Sequence, residues 1–306
     1  MSKAFIFPGQ GAQFVGMGKD FYDTYECSRE VFEQASEALG MDMKALCFEE
    51  NDRLNITEYT QAALVTVSVA MLRAAQEKGL VPDVCAGHSL GEYSALVAAG
   101  GMTFSNAVKT VRQRGILMQQ AVPTGKGAMC AVIGLDAQTI SSVCDEIEGA
   151  SVANYNCPGQ IVITGMKEAV EQAAEKLKEA GAKRCIMLNV SGPFHSPFVA
   201  EAGEKLYEFM KEIPLEEKLT VPYVANVNGE YVTDTSVIKE FLRKQVSSSV
   251  LWQPTIENMM KNGVDTFVEI GPGKTLTGFM KRINKEMKAI NIGTVEELEK
   301  AAELLA

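Results

Sequence analysis

Histidine is scarce in this chain of 306 residues, which has only His88 and His195. The seven cysteines include no C-x-x-C pair, and the sequence H-E-x-x-H is absent. Neither a disulfide framework nor a zinc site is therefore indicated, and we expect no metal. A reaction that needs a general base near neutral pH has at most two imidazoles available.

Long apolar runs and an excess of positive charge are also missing. No uninterrupted apolar segment reaches membrane-spanning length, and the first residues show no secretion signal. The formal net charge of −10 argues against a general binder of nucleic acids or of membrane surfaces. Scattered cysteines, odd in number, suit reduced thiols, so we expect a cytoplasmic protein.

Two glycine-rich stretches suggest nucleotide binding, but neither has the required spacing. Pro8-Gly9-Gln10-Gly11 follows a short apolar strand and lacks the G-x-G-x-x-G pattern. Gly273-Lys274-Thr275 resembles the end of a P-loop, but Val268 stands where the first glycine is required. We therefore expect no cofactor.

The most informative stretch is Gly87-His88-Ser89-Leu90-Gly91, which fits G-x-S-x-G. The pattern predicts a short buried strand before it and a helix behind it that ends at Gly100. A strand-to-helix turn is the context in which this motif presents a nucleophilic serine. We predict that Ser89 is a nucleophile; the alternative is a turn that merely caps a helix.

The predicted elements divide the chain into two parts. Over 128–189 they follow the βαββαβ order of a ferredoxin-like unit. Elsewhere strands alternate with helices, which predicts a mainly parallel sheet covered by helices. The expected fold is α/β: a large α/β-hydrolase-like domain, residues 1–123 and 191–306, with a small ferredoxin-like insertion at 124–190. Single helices are predicted over 21–39, 58–78 and 198–213.

A serine needs a neighbouring base to become a useful nucleophile. His88 adjoins Ser89, and adjacent side chains on an extended backbone point in opposite directions, so His88 is poorly placed. His195 lies where the predicted insertion rejoins the large domain, and domain junctions favour clefts. Elimination predicts His195 as the base; the alternative is a structural core histidine. No acid identifies itself as a third member, and a carbonyl would orient the imidazole equally well.

Arg114 is predicted on the apolar face of a helix. Four apolar residues share its arc at about 100° per residue: Phe104, Ala107, Val111 and Met118. Lys109 and Arg112 fall on the opposite side, towards solvent. A guanidinium on an apolar face is costly unless an anion meets it. The anion is either a buried carboxylate of the protein or a carboxylate of the substrate, which a planar fork binds through two hydrogen bonds.

With these features in place, the chain resembles the malonyl-CoA:acyl carrier protein transacylases of fatty-acid synthesis. The resemblance runs from Phe5 to about Ile283 and rests on separated segments in family order. The segments are Phe7-Pro8-Gly9-Gln10-Gly11, Thr60-Gln61-Ala62-Ala63-Leu64, Gly87-His88-Ser89-Leu90-Gly91-Glu92-Tyr93-Ser94-Ala95-Leu96, Gln113-Arg114-Gly115, Asn156-Cys157-Pro158-Gly159-Gln160 and Glu269-Ile270-Gly271-Pro272-Gly273. One departure is Ala62, where relatives often carry proline.

The resemblance implies transfer of a malonyl group from malonyl-CoA to acyl carrier protein through a malonyl ester of Ser89. It implies that His195 is the base and that the backbone N–H groups of Gln10 and Leu90 form the oxyanion hole. Arg114 would pair with the malonyl carboxylate.

The resemblance also implies roles for three residues around the substrate, Gln245, Phe194 and His88. The main-chain carbonyl of Gln245 would orient the catalytic histidine. Phe194 is associated with malonyl rather than branched acyl groups.

Two other functions fit part of the sequence. A thioesterase or esterase would use the same elbow with water, but the α/β-hydrolase fold places an acid between serine and histidine. A docking module without catalysis would not need the serine, the histidine or the arginine.

We expect a monomer. Four cations predicted on one helix are candidates for carrier-protein docking, or else a solvated face: Lys281, Arg282, Lys285 and Lys288.

Overall fold

The computed structural model describes residues 2–123, 125–190 and 192–305. The chain is a mixed α/β protein with one six-stranded and one four-stranded sheet. In chain order the elements are β1 (Lys3–Phe7), α1 (Lys19–Thr24), α2 (Glu26–Leu39), α3 (Met43–Phe48), α4 (Thr57–Glu77), β2 (Val84–Gly87), α5 (Gly91–Ala98), α6 (Phe104–Gln120), β3 (Gly127–Ile133), α7 (Ala137–Asp145), β4 (Ala150–Cys157), β5 (Gln160–Met166), α8 (Lys167–Glu179), β6 (Arg184–Met187), α9 (Ala200–Lys211), β7 (Tyr223–Val224), β8 (Tyr231–Val232), α10 (Ile238–Gln245), α11 (Trp252–Lys261), β9 (Thr266–Ile270), α12 (Thr275–Ile283), β10 (Lys288–Ile292) and α13 (Val295–Leu305).

The larger sheet is parallel, as predicted, except at one edge. Its strand order is β10-β9-β1-β2-β7-β8, and β7 and β8 pair antiparallel. Phe5 and Phe7 of β1 pack into one hydrophobic cluster, whereas Ala4 and Ile6 pack into another on the opposite face. A strand buried on both faces needs the continuous apolar sequence that β1 has. The register places Phe7 beside Gly87, so the loop after β1 lies next to the end of β2.

The smaller sheet is antiparallel, with strand order β4-β5-β3-β6. Helices α7 and α8 cover one of its faces, and residues of its other face, such as Met129, join the main core. Backbone hydrogen bonds tie its edge to the larger part of the chain: Tyr155 donates to Val250 at 2.9 Å, and Val250 donates to Ala153 at 2.8 Å. The predicted boundary residues Thr124 and Ser191 lie outside the described residues.

Two predicted helices are interrupted. Tyr25 is extended, at φ −111° and ψ 130°, and separates α1 from α2 within the predicted 21–39 helix. Its hydroxyl donates to Glu299 of α13 at 2.7 Å, a long-range contact that periodicity does not reveal. The 198–213 prediction starts in a 3₁₀ turn, Pro197–Val199, before the regular helix α9.

The four cations proposed for docking do not share a helix. Helix α12 ends at Ile283, and Asn284 is extended with φ −156° and ψ 108°. Lys285 therefore lies in the following loop, and Lys288 opens β10. The one-helix prediction was wrong because the extended backbone at Asn284 ends the helix before Lys285.

Helix α4 is buried on most of its sides, as its sequence predicts. It packs against α2 and α6 beneath the larger sheet. In the described ranges no helix combines the length and apolar character that crossing a bilayer requires.

Candidate active site

The turn between β2 and α5 holds Ser89 in a left-handed conformation, with φ 50°. Among the described residues, only one other non-glycine residue has positive φ: His195, at 59°. Such conformations persist where the surrounding structure enforces them, and they cluster at functional sites. The two residues selected from the sequence as nucleophile and base are therefore also the two strained ones.

The glycines of the turn are required by close backbone approach. A Cβ added to Gly87 would lie 1.9 Å from the carbonyl carbon of Gly91. A Cβ added to Gly91 would lie 2.1 Å from the carbonyl oxygen of Phe7. Only glycine permits the elbow to fold this tightly against the end of β1.

Two side chains from distant segments satisfy the backbone of Ser89. The N–H of Ser89 donates to Asn226 Oδ1 at 2.7 Å, and Asn226 Nδ2 donates to the carbonyl of Gly87 at 2.7 Å. Gln245 Nε2 donates to the carbonyl of Ser89 at 2.8 Å. Sequence analysis did not identify Asn226. The one sequence feature that could have identified Asn226 is its position as a polar residue just after the carboxyl end of β7, where α/β proteins place their sites.

The structure brings Ser89 and His195 together, with Ser89 Oγ 2.7 Å from His195 Nε2. His195 Nδ1 lies 2.9 Å from the carbonyl oxygen of Gln245 and 3.1 Å from that of Ser248. Carbonyl oxygens only accept hydrogen bonds, so Nδ1 carries the proton and Nε2 accepts the serine proton. Carbonyls, rather than a carboxylate, hold the imidazole.

Burial and the charge of Arg114 lower the pKa of His195 to about 3. The imidazole is therefore neutral at neutral pH, the form in which Nε2 accepts a proton.

Arg114 is buried beside the serine, on the face of α6 that its helical position predicts. Its Nη2 donates to Gln245 Oε1 at 2.9 Å and to Ser89 Oγ at 3.3 Å. Within the described ranges no carboxylate forms an ion pair with it, and its Nε has no hydrogen-bond partner. Arg112, expected towards solvent, instead pairs with Glu58 and is 19% exposed. Of the two anions predicted for Arg114, a carboxylate of the protein bound directly to the guanidinium is therefore not found among the described residues.

These residues surround a cleft of about 420 Å³. Seven of the predicted site residues line it: Gln10, His88, Ser89, Leu90, Arg114, Phe194 and His195. Gln245 does not line the cleft but lies buried behind it. Over the described residues, the backbone N–H groups of Gln10 and Leu90 donate to no acceptor, so both are free to bind an oxyanion.

His88 is not part of the Ser89–His195 pair. Its Nε2 lies 2.8 Å from Asn156 Oδ1 on β4, and its ring contacts Trp252 and Phe279. Burial lowers the pKa of His88, so the ring is neutral. Its hydrogen bond connects the elbow to the smaller sheet. The part of the chain that the structure describes holds no cluster of three or more histidine, cysteine or carboxylate side chains able to bind a metal.

We expect the reactivity of Ser89 to be insensitive to mild acid. A fluorophosphonate should label Ser89 at a constant rate between about pH 5 and pH 8, because His195 stays neutral throughout that range. An ordinary histidine, with a pKa of about 6.5, would lose roughly tenfold in rate per pH unit below that value. Labelling is measured by mass spectrometry, with His195→Ala as the slow control. A rate that falls with a midpoint near the ordinary value would contradict the neutral imidazole.

The chain is similar over nearly its whole length to known proteins. Residues 4–302 match the family model described as acyl transferase domain. The malonyl CoA-acyl carrier protein transacylase of Bacillus subtilis (strain 168) is 46% identical, over 100% of this chain and 98% of its own. A crystal structure of the malonyl CoA-acyl carrier protein transacylase from Clostridium perfringens has a TM-score of 0.96 and 44% identity, covering 100% of this chain and 97% of that one.

Another solved structure holds a type II PKS acyl-carrier protein in complex with its malonyl-transacylase. Its TM-score is 0.96 and its sequence is 41% identical. The match covers 99% of this chain and 100% of that one. The chain therefore belongs to the acyl transferase family and, within it, to the malonyl-CoA:acyl carrier protein transacylases.

Proposed function

We propose that this enzyme moves the malonyl group of malonyl-CoA to the phosphopantetheine thiol of acyl carrier protein by a ping-pong reaction through a malonyl ester of Ser89. The observation that carries the proposal is the 2.7 Å contact between Ser89 Oγ and the neutral His195 Nε2. Arg114 Nη2, on the same serine oxygen, supplies a charge that suits a substrate carboxylate.

In the first half-reaction, Ser89 Oγ attacks the thioester carbonyl while its proton passes to His195 Nε2. The N–H groups of Gln10 and Leu90 bind the oxyanion. The carbonyls of Gln245 and Ser248 accept from Nδ1–H and stabilise the imidazolium. The proton then passes to the sulfur of CoA, which leaves as a thiol.

The second half-reaction reverses these roles. The pantetheine thiol gives its proton to His195 Nε2 and attacks the ester carbonyl, and the proton returns to Ser89 Oγ as the ester bond breaks. The buried position of the imidazole limits access by water, which would otherwise hydrolyse the ester.

We also infer the domain organisation and cellular setting from the sequence. The ferredoxin-like insertion predicted over 124–190 is supported, for the described residues 125–190, by the strand order and antiparallel pairing of the smaller sheet. The enzyme acts as a monomer, since Ser89, His195 and Arg114 meet within one chain. The scattered cysteines support a cytoplasmic location, and the resemblance supports a role in fatty-acid synthesis.

A thioesterase is the alternative that shares the serine and the histidine. An α/β-hydrolase would orient the histidine with an acid. Here two carbonyls face Nδ1, and Arg114 offers an anion site that simple thioester hydrolysis does not need. Transfer is therefore the better-supported reaction.

Ser89→Ala tests the covalent step. The change removes the nucleophile and little volume, so the fold should survive while the malonyl adduct disappears. Intact-protein mass spectrometry after mixing with malonyl-CoA measures the adduct, and Ser94→Ala, a change of another buried serine on the helix α5 that follows the turn, is the matched control. A malonyl adduct that persists on the Ser89→Ala protein would place the nucleophile elsewhere.

Arg114→Ala tests acyl-group choice. Malonyl transfer should lose roughly 2–4 kcal/mol of transition-state stabilisation, the range for truncating one partner of a buried charge pair. Acetyl transfer should fall much less, because an acetyl group has no carboxylate to place. The measured quantity is the ratio of malonyl to acetyl kcat/KM. Arg112→Ala, on the same helix and paired with Glu58, is the control. Equal losses for both acyl groups would make Arg114 structural.

A second cleft, of about 610 Å³, offers the carrier protein a basic surface. Four cations line it together with the apolar Ile186 and Phe279: Lys183, Arg184, Lys274 and Arg282. On a protein of net charge −10 this concentration of positive charge favours an acidic partner.

Charge reversal tests this docking surface. Arg184→Glu with Lys274→Glu should raise the KM for carrier protein about tenfold, the order expected for lost electrostatic attraction. The KM for malonyl-CoA should change much less. Lys218→Glu with Lys261→Glu, two cations outside this cleft, is the control pair. Similar changes in both KM values, or none in either, would exclude this surface.

A further inference from the structure

Glu92 is a fully buried carboxylate directly behind the elbow, in the first turn of α5. Its Oε2 accepts from Gln245 Nε2 at 2.8 Å and from the backbone N–H of Asn226 at 3.3 Å. Across the described chain, its Oε1 has no hydrogen-bond partner. The catalytic steps above make no use of this group, and a buried carboxylate that is only half satisfied is costly.

The amide of Gln245 connects Glu92 to Arg114. Its Nε2 faces two acceptors, Glu92 Oε2 and the carbonyl of Ser89, and its Oε1 faces Arg114 Nη2. Rotating the amide by 180° would oppose oxygen to oxygen and N–H to N–H, so this network permits one orientation. Arg114, Gln245 and Glu92 thus form a directed chain from cation to carboxylate.

This arrangement separates a buried positive charge from a buried negative charge by one amide. A direct ion pair would fill the hydrogen-bonding edge of the guanidinium and neutralise its field. Because Gln245 lies between them, the Glu92 carboxylate still offsets the cost of burying the charge of Arg114. It leaves the hydrogen-bonding edge of the guanidinium open towards the cleft. Arg114 Nε, which has no partner in the described part of the protein, is consistent with an edge kept for a ligand.

We propose that Glu92 is a positioning residue for the malonyl carboxylate, holding Arg114 through Gln245 and balancing its charge only while the cleft is empty. When malonyl binds, two carboxylates share one guanidinium, and Glu92 takes up a proton from the solvent. The buried site then keeps the same net charge in both states. This inference rests on the proposed function, because the arriving anion is the malonyl group.

The surroundings of Glu92 support this proton uptake. Burial raises the pKa of Glu92 to about 7, against the hydrogen bond from Gln245 and the charge of Arg114, which lower it. The titratable groups that face the network are Tyr93, Tyr223 and His195. The pKa values of both tyrosines are raised by burial and that of His195 is lowered to about 3. Glu92 is therefore the group of this set that changes charge between about pH 6 and pH 8.

The test measures binding at equilibrium in the Ser89→Ala protein, which cannot form the ester. We expect the Kd for malonyl-CoA to rise about tenfold from roughly pH 6 to pH 8, as Glu92 ionises and opposes the second carboxylate. Acetyl-CoA carries the same phosphates, so the ratio of the two Kd values isolates the malonyl carboxylate. Adding Glu92→Gln, which has the size of the protonated carboxyl group, should make this ratio independent of pH.

Glu269→Gln is the matched control, since Glu269 is another buried carboxylate with a raised pKa but caps α12 instead of facing Gln245. It should leave the pH dependence of the ratio in place. A ratio that is flat in the Ser89→Ala protein, or that still changes with pH after Glu92→Gln, would overturn the inference.

Calorimetry in two buffers of different ionisation enthalpy provides a measurement that needs no Glu92 variant. At pH 7, binding of malonyl-CoA should take up about half a proton more than binding of acetyl-CoA, given a pKa of about 7. Equal proton uptake would refute the role of Glu92 even if the Gln variant does not fold. Absence of a malonyl adduct on the wild-type enzyme would refute the proposed function instead.

Discussion

The hydrogen bond from the Gln245 amide to the carbonyl of Ser89 is the interaction on which the rest of the site depends. It holds one side of a strained turn, while Asn226 holds the other through the serine N–H. The same residue offers its own carbonyl to His195 and its side-chain oxygen to Arg114. The end of α10 therefore fixes Ser89, His195 and Arg114 relative to one another, so a small displacement of this helix end would disturb all three.

Burial gives these groups their chemical character. A solvent-exposed imidazole would be partly protonated near neutral pH, whereas His195 is kept neutral by desolvation and by the neighbouring guanidinium. In the proposed reaction, the oxyanion that forms in the same step and the carbonyls of Gln245 and Ser248 would stabilise the imidazolium. In the proposed reaction, catalytic charge thus develops only in opposite pairs.

Local sequence patterns predicted those site residues whose placement depends mainly on neighbours close in the sequence. The elbow follows from glycine spacing between a strand and a helix, and the burial of Arg114 follows from its angular position on α6. His195 was selected because the chain has almost no histidine, and its geometry then depends on a loop that no pattern describes. The mainly parallel sheet was predicted from the alternation of strands and helices, whereas the break at Tyr25 depends on a contact with Glu299, far away in the sequence.

Local patterns did not predict the supporting residues, because their role exists only in the complete fold: Asn226 was missed, and Gln245 was assigned only through the family resemblance. Asn226 and Gln245 lie 137 and 156 positions from the serine they hold. A left-handed serine costs about 1–3 kcal/mol, so an isolated elbow would relax to negative φ. The strained geometry is therefore stable only after β7 has joined the larger sheet and α10 has packed against α9. The active geometry therefore depends on long-range packing. The G-x-S-x-G motif provides a turn that can adopt the strained conformation, and the side chains of Asn226 and Gln245 hold it there.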